Sequence, residues 1–354
     1  MNQGAAERPR AGGAGGSALV RSLLAANLAA EGFYGIAFLP RESFMETLAA
    51  AAVPEAARRK YDVDSVKSVA VLALRYGEGD YPAPPWADAR PGKATSSPPL
   101  KIARFARANW YNELSGRMLS AVARTIADAA ETGLVLPSAR KWHRLVNSGL
   151  PEKPLAVKAG LGWAGKNTIL IAKRGREEKL ATDPEYSSAV VLGLLLCPVD
   201  LEPALPVSLG NLCGNCGRCV DACPTGALGA PGALDAMSAG RGSDEDDMSD
   251  GKASRYDRKR CIQHWTALDE DRPSDIAAAW NGRLYGCDTC LEACPYFRTD
   301  PIAHSDIGRL GPSLPARYFT ENDDGVIRRD LEGSALGMAW MSIEAFRRSA
   351  RQAI

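Results

Sequence analysis

Apolar positions recur at helical spacing through SALVRSLLAANLAAEGF, residues 17–33, and Gly32 is placed to end that helix. The run VKSVAVLALRY, residues 66–76, is β-branched and apolar with polar flanks, the pattern of a buried strand. Proline and glycine punctuate residues 77–99, which read as a long loop. Beyond it, KIARFARANWYNELSGRMLSAVARTIADAAE brings Ile102, Phe105, Leu114, Met118, Val122 and Ile126 near one face of a helix, a stripe suited to a core. A second strand-like run, SSAVVLGLLLCPV, covers residues 187–199. Strands interspersed with helices predict an α/β or α+β domain over about 18–205, preceded by a disordered tail at 1–17. From residue 206 to 300 short cysteine-rich turns replace that pattern. Residues 238–254, SAGRGSDEDDMSDGKAS, are acidic and aperiodic and read as a solvated insertion. Residues 301–354 are left as a C-terminal extension.

Composition narrows the class. The 354 residues are 45% hydrophobic and 24% charged, which excludes a disordered chain, a coiled coil and a collagen-like fibre. With 43 Lys and Arg against 42 Asp and Glu, net charge is +1, so no global field favours nucleic acid. Any RNA contact must come from local basic clusters, at residues 58–60, 140–144, 173–176 and 255–260. Each of these is by default a solvated face. The longest apolar stretch, residues 189–199, is too short to span a bilayer. The first sixteen residues lack the apolar core of a secretory signal, and a cytoplasmic location is expected.

Nine cysteines occur, eight of them between Cys213 and Cys294. In a reducing compartment such clustering points to metal rather than disulfides. CGNCGRCVDACPTGAL places Cys213, Cys216, Cys219 and Cys223 in the run C-x2-C-x2-C-x3-C-P, the bacterial ferredoxin spacing for a [4Fe–4S] cluster. Three thiolates on one loop reach different irons of a cubane, and the fourth, before Pro224, turns toward a neighbouring cluster. A four-thiolate zinc knuckle is the metal alternative, but the third cysteine and the C-P ending fit it poorly. A second half, YGCDTCLEACPYF, supplies Cys287, Cys290 and Cys294, and Cys261 in RKRCIQHWT completes its count. Crossed ligation then predicts one cluster on Cys213, Cys216, Cys219 and Cys294, and the other on Cys223, Cys261, Cys287 and Cys290. Cys197, alone in an apolar strand, reads as a small buried hydrophobe. This half of the chain is ferredoxin-like, an electron wire that needs a terminus.

KAGLGWAGKNTILIAKRG, residues 158–175, is the candidate terminus. Gly160, Gly162 and Gly165 allow close backbone approach to a ligand, and Lys166, Asn167 and Thr168 bring donors. The G-x-G-x-x-G spacing suggests a dinucleotide, yet no strand immediately precedes it, so NAD is set aside. A glycine-rich turn packed on a sheet is the competing reading.

Taken in order, AGLGWAGKNTILI, CGNCGRCVDACPTGAL, RKRCIQHWT and RLYGCDTCLEACPYF resemble the epoxyqueuosine reductase family, over about residues 66–297. The resemblance implies a cobalamin-dependent reductase related to reductive dehalogenases. Two [4Fe–4S] clusters would reduce a base-off cobalamin held in an α/β domain, and the epoxide oxygen of epoxyqueuosine in tRNA would be removed. It also implies an external electron donor such as ferredoxin or flavodoxin. Asp288, inside GCDTC, matches the family pattern and is a candidate to face the cofactor, with an ordinary turn carboxylate as the alternative.

The chain also departs from that pattern. VNSGLPEK places Asn147 where the family has an Asp proton donor, and an amide cannot deliver a proton as a carboxylic acid does. Of the family's D-Y-H-K element only Tyr111 is kept, and the N-terminal H-G-x-M-x-Y-L element is missing. Tyr111, Glu152 or a water is expected to take over, or else the substrate is not an epoxide. None of His143, His264 and His304 stands in a D-x-H-x-x-G arrangement that ligates cobalt. The competing functions are a corrinoid-dependent reductase of the same build with another substrate, and a non-enzymatic ferredoxin-type carrier.

Overall fold

The computed structural model describes residues 14–79, 81–82, 84–88, 97–175, 185–203, 209–229, 256–301 and 305–354. The expected insertion at 238–254 lies outside these residues, as do His304 and residues 1–13 of the expected tail. The rest of that tail is already helical, because α1 runs Ala14–Ala30. Small and apolar residues continue its pattern upstream of Ser17, which is itself buried.

The central sheet has the order β1-β2-β8-β4, formed by β1 (Gly35–Pro40), β2 (Ser68–Arg75), β8 (Val190–Cys197) and β4 (His143–Leu145). Every neighbouring pair is antiparallel. Of the two expected classes, this sheet is therefore of the α+β kind. All eight residues of β2 are buried because helices cover both faces. Ala70, Leu72 and Leu74 face α1 and α5 (Trp110–Glu131), packing with Leu24, Leu28, Leu114 and Met118. The intervening Val69, Val71 and Ala73 join Phe44, Leu155 and Leu161 on the opposite side. That side is built from α2 (Arg41–Ala50), α3 (Glu55–Lys60) and α6 (Glu152–Lys158). Asn27 and Asp128 fasten α1 to α5 through a 2.8 Å hydrogen bond.

The helical stripe is shorter than the sequence suggests. Leu114, Met118 and Val122 are buried on α5 and Ile126 packs beside them. Ile102 and Phe105 are not on the helix. Ile102 ends β3 (Pro99–Ile102) and Phe105 lies in a 3-10 turn, because Asn109 caps the helix start by accepting from the Asn112 N–H at 3.1 Å.

β3 lies between β10 (Ser313–Pro315), to which it is antiparallel, and β9 (Arg283–Tyr285), to which it is parallel. Helices α11 (Ala316–Glu321), α12 (Asp324–Asp330) and α13 (Ile343–Ala353) close a core in which Ile102, Leu284, Phe319, Ile327 and Phe346 meet. Residues assigned to three successive segments thus share one core, and 301–354 is built into it rather than appended. A third sheet, β5 (Gly162–Ala164), β6 (Leu170–Lys173) and β7 (Tyr186–Ser187), contains the glycine-rich segment.

The remaining helices are short. α4 (Pro85–Asp88) precedes β3, while α8 (Ile262–Trp265) and α9 (Ser274–Ala278) bury Ile262, Trp265, Ile276 and Trp280 together. α7 (Arg218–Asp221) and α10 (Thr289–Glu292) are matching single turns, each carrying the penultimate cysteine of its motif. No helix among the described residues is long and apolar enough to cross a membrane.

Candidate functional site

All nine cysteines are free of disulfides. The C-x2-C turn brings the Cys216 N–H to the Cys213 carbonyl at 2.9 Å, and α7 and α10 present Cys219 and Cys290 ahead of Cys223 and Cys294. Electrostatic neighbours sort the thiols into two groups. Cys219 is pushed up to about 11 by burial first, then by Cys294, Cys213 and Cys216. Cys290 is raised by burial, then by Cys287, Cys261 and Cys223, with Cys219 beyond them. Such crowding disfavours four free thiolates and is relieved by protonation or by bound positive charge. Among the described residues no three His, Cys, Asp or Glu converge as a single ion requires. A cubane, whose thiolates bind different irons, tolerates wider spacing. Cys197 is fully buried in the central core, and burial raises its thiol.

Hydroxyl groups flank the second group. Thr289 Oγ1 is 3.4 Å from Cys287 Sγ, Thr225 Oγ1 is 3.8 Å from Cys223 Sγ, and the Tyr256 side chain hydrogen-bonds Cys261. Sequence reasoning missed these residues. The signal was present: both threonines stand two positions after a cysteine, in C-P-T and C-D-T.

Beside the second group the structure gathers titratable side chains. Glu152 opens α6 and accepts from the Ser148 N–H at 2.8 Å, yet burial outweighs that bond and holds its carboxyl at about 7. The Tyr111 phenol, in the first turn of α5, is raised by burial and then by Tyr285 and Glu152. Lys153, which the sequence reading overlooked, is an exposed residue whose ammonium is nonetheless desolvated enough to be lowered, opposed by Cys290, Glu152 and Cys261. Its Nζ donates to the Thr168 carbonyl at 2.9 Å. Asn147 is exposed and adopts φ 51°, a left-handed bend that asparagine tolerates. It shapes the turn that brings Ser148 to Glu152.

The glycine-rich segment is a β-hairpin, and its glycines face protein. A Cβ on Gly162 would stand 2.1 Å from the Ile171 carbonyl oxygen, and one on Gly165 would stand 2.7 Å from Asn167 Oδ1. Strand β6 and the turn itself therefore need these two glycines, whatever approaches them from the other side. Asn167 is 4% exposed, accepts from the Ile169 N–H at 3.2 Å, and leaves its Nδ2 buried without a partner among the described residues. Thr168 takes φ 64° at the turn. Lys166 Nζ donates to the Gly214 carbonyl at 2.6 Å, reaching the first cysteine loop. Trp163 packs edge-on against Tyr186 and Tyr296, with ring centroids 5.1 and 5.3 Å away.

Asp288 is tied to Arg104. Its Oδ2 accepts from the Arg104 N–H at 2.8 Å and lies 3.7 Å from Arg104 Nη1, while Oδ1 is buried without a partner among the described residues. Burial raises its carboxyl against the pull of Arg104. His143 on β4 and His264 on α8 are partly buried.

Two groups of free thiols beside a mixed helix–sheet body define a double-cluster iron–sulfur protein. Residues 212–297 match the 4Fe–4S double cluster binding domain, so the chain has two iron–sulfur clusters. An epoxyqueuosine reductase of Gloeobacter violaceus is 30% identical over 298 residues, covering 82% of this chain and 76% of that protein. One from Listeria monocytogenes is 33% identical over 196 residues, covering 55% of this chain and 41% of its own length. The alignment thus spans less than half of the latter relative. The chain belongs to the epoxyqueuosine reductase family. Among solved structures, the fold matches epoxyqueuosine reductase from Streptococcus thermophilus with a TM-score of 0.62 at 19% identity, covering 93% of this chain and 79% of the other. It also matches an epoxyqueuosine reductase solved with a tRNA-Tyr epoxyqueuosine-modified stem loop, with a TM-score of 0.64 at 18% identity, covering 95% and 81%.

Proposed function

We propose that this protein reduces epoxyqueuosine in tRNA, with its clusters held by the crossed cysteine sets and its proton delivered by Glu152. The observation that carries the proposal is a carboxyl held at about 7 beside Tyr111, on the helix whose next residue, Lys153, faces Cys290 and Cys261. Converting the epoxide to an alkene consumes two electrons and two protons and releases water. Negative charge develops on the departing oxygen, so a nearby acid accelerates the step by roughly 10²–10⁴-fold. Glu152 is half-protonated near neutral pH and suits that role. Tyr111 would orient the oxygen through its phenol, and the Lys153 ammonium would offset charge arriving at the second thiol group.

The crossed assignment, Cys213, Cys216, Cys219 and Cys294 against Cys223, Cys261, Cys287 and Cys290, draws support from the electrostatic neighbours of Cys219 and Cys290. Cobalamin is the proposed reactive cofactor, and when bound it would supply a strongly reducing cobalt. The buried, unpartnered Asn167 Nδ2 and Asp288 Oδ1 fit a corrinoid, whose rim carries amides able to pair with both. The tRNA would meet the exposed Arg59 and Lys60 of α3, next to Tyr61, whose hydroxyl accepts from the Gly149 N–H at 3.1 Å. That contact puts α3 against the bend containing Asn147, and phosphate binding there is chiefly electrostatic. A ferredoxin- or flavodoxin-type protein would donate the electrons, and the cytoplasm is the proposed location.

The test is turnover of epoxyqueuosine-tRNA by protein loaded with clusters and cobalamin. Wild type should be active, Asn147→Asp should change little, and Glu152→Gln should lose 10²–10⁴-fold. The second reading, a reductase of the same build with another substrate, is favoured by the amide at Asn147. Turnover only in Asn147→Asp would mean that the natural substrate is something else, and turnover in neither protein would reject the epoxyqueuosine assignment and leave that reading standing.

A further inference from the structure

We infer that three side-chain hydroxyls make the cluster of the second cysteine group, beside Lys153 and Glu152, the higher-potential member of the pair. The inference rests on the crossed cysteine assignment above. Reduction adds one negative charge to a cluster, and donors directed at its sulfurs stabilise that charge and raise the potential. A ligating thiolate has no proton to give, so in each Cys–hydroxyl pair the hydroxyl donates. On the second group those donors are Thr289 to Cys287 at 3.4 Å, Thr225 to Cys223 at 3.8 Å, and Tyr256 to Cys261.

Two of the donors are themselves organised. Arg283 Nη2 donates to Thr289 Oγ1 at 3.1 Å, which leaves the hydroxyl proton for sulfur and polarises it. Arg260 Nε donates to the Thr225 carbonyl at 2.8 Å, fixing the backbone that presents Thr225. The Lys153 ammonium adds positive charge near Cys290 and Cys261. Beside the first group stand the Ser188 hydroxyl at Cys294, Lys166 at Gly214, and Arg218, adjacent to Cys219 on α7.

The two groups also differ in surroundings. The first underlies an exposed loop in which Leu212 is 49% exposed and Gly214 and Asn215 are open to solvent. The second borders Tyr285, Lys153 and Glu152. One electron entering at the loop from an external one-electron donor protein would oxidise that donor and reduce the first cluster. Its transfer inward would reoxidise the first and reduce the second, with no atom or proton moved. The hydroxyls make the inward direction favourable.

An EPR-monitored redox titration of cluster-loaded protein tests this without any substrate. Wild type should show two reduction waves. Thr289→Val, Thr225→Val and Tyr256→Phe should each move the higher wave to lower potential and leave the lower wave in place. Ser188→Ala should move only the lower wave. A tenfold fall in a one-electron reduction constant is 59 mV, and several-fold changes are readable. Iron and sulfide near eight each per chain, the arithmetic of two cubanes, must hold for every variant. A variant that loses iron reports on the ligand assignment. Full iron with unmoved waves, or movement of the lower wave by the threonine variants, would overturn the inference.

Discussion

Lys166 Nζ donates to the Gly214 carbonyl, so the turn of the glycine-rich hairpin is bound to the backbone between Cys213 and Cys216. The lysine links two segments that the motifs treat separately. Replacing it with methionine should leave overall stability nearly unchanged, since a single surface hydrogen bond contributes about 1 kcal/mol or less. Amide exchange at residues 213–216 should accelerate, measured by hydrogen–deuterium exchange with mass spectrometry. Unchanged exchange there would show that the tether is not used in solution.

Gly162 is expected to matter to the hairpin with or without a cofactor. Gly162→Ala forces a methyl group against the Ile171 carbonyl and should lower the thermal midpoint of cluster-loaded protein containing no corrinoid. A midpoint equal to wild type in that preparation would return the glycine to a ligand-facing role.

Glu152 gives the protein a pH signature. Its folded carboxyl titrates at about 7, above the ordinary 4.5, so the folded state holds a proton that the unfolded state has lost between those values. Stability from this group is therefore present below pH 4.5 and declines as pH rises toward 7. Glu152→Gln should remove that decline, and the variant's thermal midpoint should gain on wild type between pH 5 and pH 8. The gain corresponds to about 1–3 kcal/mol. Parallel midpoints across this range would remove Glu152 as the group with the raised pKa.

Cys197 and Cys290 separate core from site. Cys197→Ala should retain full iron while costing about 1 kcal/mol of stability, because a buried sulfur is lost from β8. Cys290→Ala should lose roughly half of the iron, one of two cubanes. Iron loss in the Cys197 variant would show a ninth thiol in cluster binding.

The strands β2 and β8 are legible in the sequence because their central residues are covered by helices on both faces and must be apolar. The start of α5 is not, since Ile102 and Phe105 continue the apolar spacing while Ile102 serves a different core and Phe105 bridges the two. The partners of β3 lie far away in sequence, so periodicity cannot announce it. The cysteine motifs are local and their chemistry shows in the spacing. Glu152 gains its character from burial against Tyr111, a property of the assembled fold, and Lys153 looks like any surface lysine until its neighbours are seen. The glycines are ambiguous in sequence for a simple reason: a missing Cβ makes room equally for a ligand or for a neighbouring strand.

The place of β3 between β9 and β10 has a consequence for how the molecule is made. During synthesis β3 leaves the ribosome well before β9 and β10, the strands that flank it. The core containing Ile102, Phe319 and Phe346 therefore closes only when α13 has emerged. Until then the early strand waits with open edges, a surface that can pair with other chains. A ribosome stalled anywhere before residue 313 would release a chain whose iron-binding segment has no finished frame to settle on.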